Sequence, residues 1–189
     1  DEVQTGFGRT GKIWGIDHSG VEPDMITTAK GIANGMPLAA VVTTNEIASS
    51  LNKNTISTFG GNPVSCAAAN ATVNIIERDD LATNSEEMGN ILFNGIRNIQ
   101  GDHKKIMGEI RGRGLMVGVE LVVDETTKDR TPNTKAVDQL LEETKSRGLL
   151  VGRGGLYGNC IRITPALNIT KNEVDEALDI LSESFNAID

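Results

Sequence analysis

Thr27-Thr28-Ala29-Lys30-Gly31-Ile32-Ala33 sets a single lysine where a short apolar strand, Met25-Ile26, gives way to a loop running from Gly31 to Gly35 and on to Met36-Pro37. A solvated lysine normally belongs to an amphipathic helix face or a charged turn, and this one has neither. Its neighbours Thr28, Ala29 and Gly31 are small, so other groups can approach the ammonium closely. A lysine in such a place can be desolvated, which frees its lone pair to form an imine with an aldehyde. Taken alone the residue reads as an ordinary strand-end lysine, and only the rest of the chain changes that.

Leu38 to Thr44 is a continuous apolar run of strand length, the pattern of a sheet buried on both faces in an α/β fold. Val21-Glu22-Pro23-Asp24 is a turn into the strand before Lys30. Asn45 caps a short helix, Glu46 to Leu51. Ser57 to Pro63 is a second glycine loop, with Asn62 and Pro63 placed as N-cap and first turn of a helix through about Arg78. Small residues from Cys66 to Ala69 suit that helix to close packing. At the start of the chain, Asp1 to Gln4 reads as the end of a strand. Thr5 to Lys12 satisfies most of the phosphate-loop pattern GxxxxGK[ST], but Ile13 stands where the magnesium-binding hydroxyl is required. Trp14-Gly15-Ile16 opens no helix whose N-terminus could hold phosphate, so a loop near a site is the better account.

Asp79-Asp80 breaks the pattern. Leu81, Met88, Ile91, Leu92, Ile96 and Ile99 then recur at helical spacing, predicting one long helix that links two domains. Beyond it, Ile106 to Arg111 and Leu115 to Val123 form a hairpin about Gly112-Arg113-Gly114. A polar loop, Asp124 to Asn133, precedes a helix with Val137, Leu140 and Leu141 inward. Leu149-Leu150-Val151 and Cys160-Ile161-Arg162-Ile163 read as short strands around a glycine-rich loop. Thr170 and Glu173 form a capping box for a last helix. The division expected is therefore residues 1–80 from a large α/β domain, 81–104 as the linking helix and 105–189 as a small α+β domain.

A net charge of -8 over 189 residues argues against nucleic acid or an anionic membrane as partner. No apolar run approaches the roughly 18 residues of a membrane span. Cys66 and Cys160 lie in apolar settings without metal spacing, as in a reduced intracellular protein. His18 and His103 lack partners at ligand spacing and read as surface residues, while Met25, Met36 and Met116 read as core or site-wall packing. No metal site is expected. The opening Asp1-Glu2-Val3-Gln4, without an initiator methionine, points to a fragment of a longer polypeptide.

Five stretches stand in one order: Asp1-Glu2-Val3-Gln4-Thr5-Gly6-Phe7-Gly8-Arg9-Thr10-Gly11; Asp24 followed by Ala29-Lys30-Gly31; Thr58-Phe59-Gly60-Gly61-Asn62-Pro63; Arg111-Gly112-Arg113-Gly114-Leu115-Met116; and Ile161-Arg162 before Pro165. Together they resemble the class III aminotransferases, which use pyridoxal 5'-phosphate on the fold-type-I architecture. The likeness covers essentially the whole chain. Within that family, AKGIANGMPLAAVVTTNEIA and GLLVGRGG look most similar to type-2 alanine–glyoxylate aminotransferases.

The resemblance implies a role for each matching residue. Lys30 would form the imine with the cofactor aldehyde and then shuttle the substrate proton as general base and acid. Asp1 would face the pyridine nitrogen and keep it protonated, Val3 would pack on a ring face, and Gln4 would bond the phenolic oxygen. Thr58 would hold the cofactor phosphate across a homodimer interface. Arg162 lies by strand alternation opposite Ile161 and Ile163 and would grip the substrate carboxylate with two hydrogen bonds; a structural ion pair is the alternative. Arg111 and Arg113 carry less, because the turn needs only its glycines. The implied reaction moves an amino group from an amino acid, alanine preferred, to a 2-oxo acid, glyoxylate preferred. An ω-amino-acid aminotransferase, a phospholyase and a scaffold without catalysis remain the alternatives. The upstream half of the family's chain, with the rest of the cofactor cradle, is not among these residues, so poor cofactor binding by this stretch alone is expected. An intracellular place is implied, mitochondrial if the alanine–glyoxylate likeness holds.

Overall fold

In the computed structural model, which describes residues 1–188, two short strands carry the lysine region. Met25–Thr28 (β1) and Ala40–Thr43 (β2) pair antiparallel, Met25 opposite Thr43 and Thr28 opposite Ala40. Lys30–Ala33 between them is a single 3-10 turn. Asn45–Ser49 (α1) follows, capped by the Thr44 hydroxyl from Ile47 N–H rather than by Asn45. Pro63–Arg78 (α2) begins as expected, with the Asn62 side chain accepting from Ser65 N–H at 3.0 Å and Pro63 in the first turn. Its buried Ser65 and Ala69 give it a narrow face, and it packs on the Lys30–Ala33 turn, where Ala33 is buried.

The chain divides into two units, Asp1–Thr83 and Asn84 onward. The helix Leu81–Asp102 (α3) starts at that boundary, and its Leu92, Ile96 and Ile99 belong to the core of the second unit. That unit is an antiparallel sheet with helices. Met107–Arg113 (β3) and Met116–Asp124 (β4) form the hairpin; Asp129–Pro132 (β5) pairs with β4; Gly152–Gly154 (β6) and Cys160–Ile163 (β7) complete the order β3-β4-β7-β6. Thr134–Ser146 (α4) and Lys171–Ile188 (α5) supply the helices. Alternation on β4 sends Val117, Val119 and Leu121 inward to meet Leu92 and Ile96 of α3, Val137 and Leu140 of α4, and Val174, Leu181 and Phe185 of α5. Each such fully buried side chain contributes roughly 1.5–3 kcal/mol. The Thr170–Glu173 capping box forms, Thr170 N–H donating to Glu173 Oε2 at 2.8 Å.

Several expectations change. Asp1–Gln4 is not a strand end but leads into a turn that begins at Val3. The Leu38–Thr44 run, read as a strand of a parallel sheet covered on both faces, shortens to β2 with Val41 62% and Val42 58% exposed. An apolar run records that a strand needs cover, and among the described residues β2 pairs only with β1. The strand near Leu149 lies later, at β6, where the backbone reaches β7. His103 is 5% exposed and stacks on Phe185 at 5.6 Å, and His18 is half-buried with its ring nitrogen 3.0 Å from Thr10 O. Met25 and Met36 are exposed rather than packed.

Candidate active site

Glu2 organises the beginning of the first unit, a role that no local pattern reveals. Only 5% exposed, its carboxylate accepts from Gly15 N–H at 2.9 Å, from Ile16 N–H at 2.8 Å, and from the Thr5 hydroxyl. Burial pushes its carboxyl up, but the bonds from Thr5, Ile16 and Gly15 outweigh that and hold it below the ordinary 4.5. Its backbone N–H donates to Thr27 O at 2.8 Å and its carbonyl accepts from Gly6 N–H at 3.0 Å. The glycine-rich loop therefore folds around a carboxylate. Gly15 has to be glycine for a reason of space, since a β-carbon there would lie 2.8 Å from Thr5 Cβ. Partners thirteen and fourteen residues away leave no local pattern in sequence.

The bond from Glu2 to Thr27 ties the Asp1–Gln4 segment to β1, the strand that delivers Lys30. Asp1 Oδ1 accepts from Val3 N–H at 2.9 Å, which sets the orientation of that carboxylate. Asp1 and Gln4 are exposed and Val3 is half-buried. Lys30 adopts a left-handed backbone, φ 48°, although it is not glycine, while a β-carbon on Gly31 would meet open space. The residue is exposed, so the described residues do not enclose it as expected from its small neighbours. Thr58 is exposed in a turn closed by Gly60 N–H donating to Ser57 O at 3.3 Å, just ahead of α2.

In the second unit, Arg162 stands exposed on β7 between buried Ile161 and Ile163, as alternation requires. Its partners across the ladder are glycines on both sides, Gly118 on β4 and Gly152 on β6. A cavity of about 380 Å³ opens beside it, lined by Leu149, Val151, Pro165, Ile169 and Val174 among others. Arg111 donates to Cys160 Sγ at 3.4 Å and to Glu109 at 3.1 Å, so it has a structural post.

Residues 1–185 match the profile of the family described as Aminotransferase class-III. The chain belongs to the class-III aminotransferases. It is 47% identical over 187 residues to the mitochondrial alanine–glyoxylate aminotransferase 2 homolog 2 of Arabidopsis thaliana, covering 98% of this chain and 39% of that protein. The human mitochondrial alanine–glyoxylate aminotransferase 2 is 45% identical over 98% of this chain and 36% of its own length. A 4-aminobutyrate aminotransferase of Mycobacterium leprae is 41% identical over 96% of this chain and 40% of its own. Among solved structures, a Bacillus anthracis aminotransferase superposes with TM-score 0.92 at 36% identity, over all of this chain and 44% of that one. An Arthrobacter phospholyase in complex with phosphoethanolamine gives 0.91 at 34%, over all of this chain and 45% of that one. The chain thus spans about two fifths of the length of these relatives. Class-III aminotransferases are pyridoxal-phosphate enzymes, and the α/β fold-type-I assignment holds.

The residues of this class-III chain fit that cofactor by the chemistry they offer. An exposed amine stands at the end of β1, and a preset carboxylate and an amide stand on the turn bonded to the same strand. An amine suits an aldehyde, a carboxylate suits a protonated ring nitrogen, and an amide N–H suits a phenolic oxygen. Among the described residues no helix is long and apolar enough to cross a membrane.

Proposed function

We propose that this chain is the lysine-bearing part of a pyridoxal-phosphate-dependent aminotransferase that moves an amino group between an amino acid and a 2-oxo acid, alanine and glyoxylate being the preferred pair. The observation that carries the reading is the hydrogen bond from Glu2 N–H to Thr27 O, which joins the turn bearing Asp1, Val3 and Gln4 to the strand that ends at Lys30.

Bound pyridoxal phosphate supplies an aldehyde and an electron-accepting ring. Lys30 would hold it through the side-chain nitrogen and, once released, move the proton at the substrate Cα. Asp1 would keep the proton on the ring nitrogen, with its carboxylate already turned by Val3 N–H. Val3 would pack on the ring and Gln4 would bond its phenolic oxygen. Thr58 would give its hydroxyl to the phosphate of the partner's site in a homodimer. Arg162 would clamp the substrate carboxylate and so orient the Cα–H bond, with its neighbours Gly118 and Gly152 leaving the sheet face clear for it.

The alanine–glyoxylate choice is supported by the 47% and 45% identities of the relatives so named. The 4-aminobutyrate relative at 41% keeps an ω-amino-acid substrate as the second reading. A mitochondrial place is the reading that the names of the same alanine–glyoxylate relatives support. The test is made on the full-length protein carrying this chain, purified with pyridoxal phosphate, reduced with borohydride, digested and mapped. A phosphopyridoxyl group on Lys30 supports the assignment, and a group scattered over surface lysines such as Lys104 and Lys105 overturns it. Alanine, 4-aminobutyrate and phosphoethanolamine as first substrates then separate the three activities.

A further inference from the structure

We propose that Glu2 is the positioning residue of the cofactor face, fixing Asp1 and Gln4 as one rigid unit rather than touching the cofactor itself. The inference rests on the reading of Asp1 and Gln4 given above and adds a residue to it.

Glu2 commits every hydrogen-bonding group it has. The backbone N–H reaches Thr27 O on β1, the carbonyl receives Gly6 N–H, Oε1 receives Ile16 N–H, and Oε2 receives both Gly15 N–H and the Thr5 hydroxyl. One residue thereby joins β1, the glycine loop and the 3-10 turn Gly15–His18. Its two neighbours, Asp1 and Val3, carry two of the proposed ring contacts, and Gln4, which carries the third, follows on the same turn. The peptide on its far side supplies Val3 N–H, and that N–H is the group that turns the Asp1 carboxylate. A line of contact therefore runs from the buried Glu2 carboxylate, through the backbone of the turn, to the orientation of the Asp1 oxygens. A carboxylate is needed because three donors converge on two oxygens; an amide in its place would aim an NH₂ at one of the two backbone N–H groups. Removing the side chain would leave the half-buried backbone donors of Gly15 and Ile16 without their acceptor, and the turn would relax to find water for them.

The functional consequence is specific. A loosened Asp1 holds the proton of the ring nitrogen less well, so the chromophore should change even where the fold survives. The experiment uses the full-length holoenzyme with Glu2→Gln and Glu2→Ala, and with Thr5→Val, which removes one donor and leaves the carboxylate. Three quantities are read: the dissociation constant of pyridoxal phosphate from the apoenzyme, the midpoint of the pH titration of the bound cofactor's visible absorption, and thermal unfolding. The expected result is an increase of about tenfold or more in the dissociation constant for Glu2→Gln, with a displaced titration midpoint. A smaller change in the same direction is expected for Thr5→Val. Folded variants with the wild-type dissociation constant and midpoint would overturn the proposal, as would a Glu2→Ala protein that fails to fold beside a Thr5→Val protein indistinguishable from wild type. Borohydride mapping of the wild type separates the two layers. A wild type without label on Lys30 refutes the functional reading, whereas a labelled wild type with unaffected variants refutes the role of Glu2 alone.

Discussion

The backbone of Gly154 on β6 passes so close to Arg162 on β7 that a β-carbon at position 154 would lie 2.7 Å from the arginine's Cδ. With glycines also directly across the ladder at 118 and 152, the stem of Arg162 runs over a strip of sheet cleared of side chains. The clash would be with a flexible side chain rather than with backbone, so the arginine would move and the sheet would stay.

Gly154→Ala in the full-length enzyme should therefore raise KM for the amino acid about tenfold, near 1.4 kcal/mol, with a smaller change in thermal stability. Steady-state kinetics with a parallel melt checks it. An unchanged KM would show that Arg162 does not hold the substrate carboxylate along this path.

Lys30 sits in the left-handed region that costs an L-residue about 1–2 kcal/mol. Comparing Lys30→Gly with Lys30→Ala in the cofactor-free protein isolates that cost. The glycine variant should be the more stable by about 1 kcal/mol, after allowing for its looser unfolded chain. Equal unfolding midpoints would contradict the backbone conformation described for this residue.

Much of the second unit could be read from sequence because its determinants are local. The Thr170–Glu173 box and the inward positions of α4 depend on residues a few places apart. The Asn62 cap and the side of β7 on which Arg162 stands were legible for the same reason. The β3–β4 hairpin was legible too, but it reverses at Gly114-Leu115 rather than at Gly112-Arg113-Gly114, because Gly112 and Arg113 stay in the ladder opposite Val117 and Met116. What escaped is non-local. Glu2 meets Gly15 and Ile16, His103 meets Phe185, and neither pairing has a spacing that a pattern can detect. Lys30 was visible as chemistry, yet its strained backbone was not; the glycine beside it looked like the residue that would take the unusual angle, and the lysine takes it.

The capping box also has a pH signature. Bonds from the Thr170 backbone N–H and hydroxyl hold the Glu173 carboxyl below its ordinary 4.5. A depressed folded value means that the contribution is complete above 4.5 and disappears as pH falls through the lower, folded value. Unfolding midpoints followed from about pH 6 down to about pH 3 should fall less steeply for Glu173→Gln than for wild type. Parallel slopes would mean that the box is not formed in solution.

Leu140 is wholly buried where α4 meets the sheet. Leu140→Ala should cost about 2–5 kcal/mol, seen as a lower denaturant midpoint. A loss below about 1 kcal/mol would indicate that the second unit's core is looser than described.

The ladder of β1 and β2 leaves Met25, Val41 and Val42 facing water, with only two strands to share the hydrogen bonding. Open strand edges flanked by apolar side chains invite further strands to add on. Produced by itself at high concentration, this chain is accordingly a template for its own edge-to-edge association, and a lysine placed at Val41 or Val42 is the substitution that would keep it dispersed.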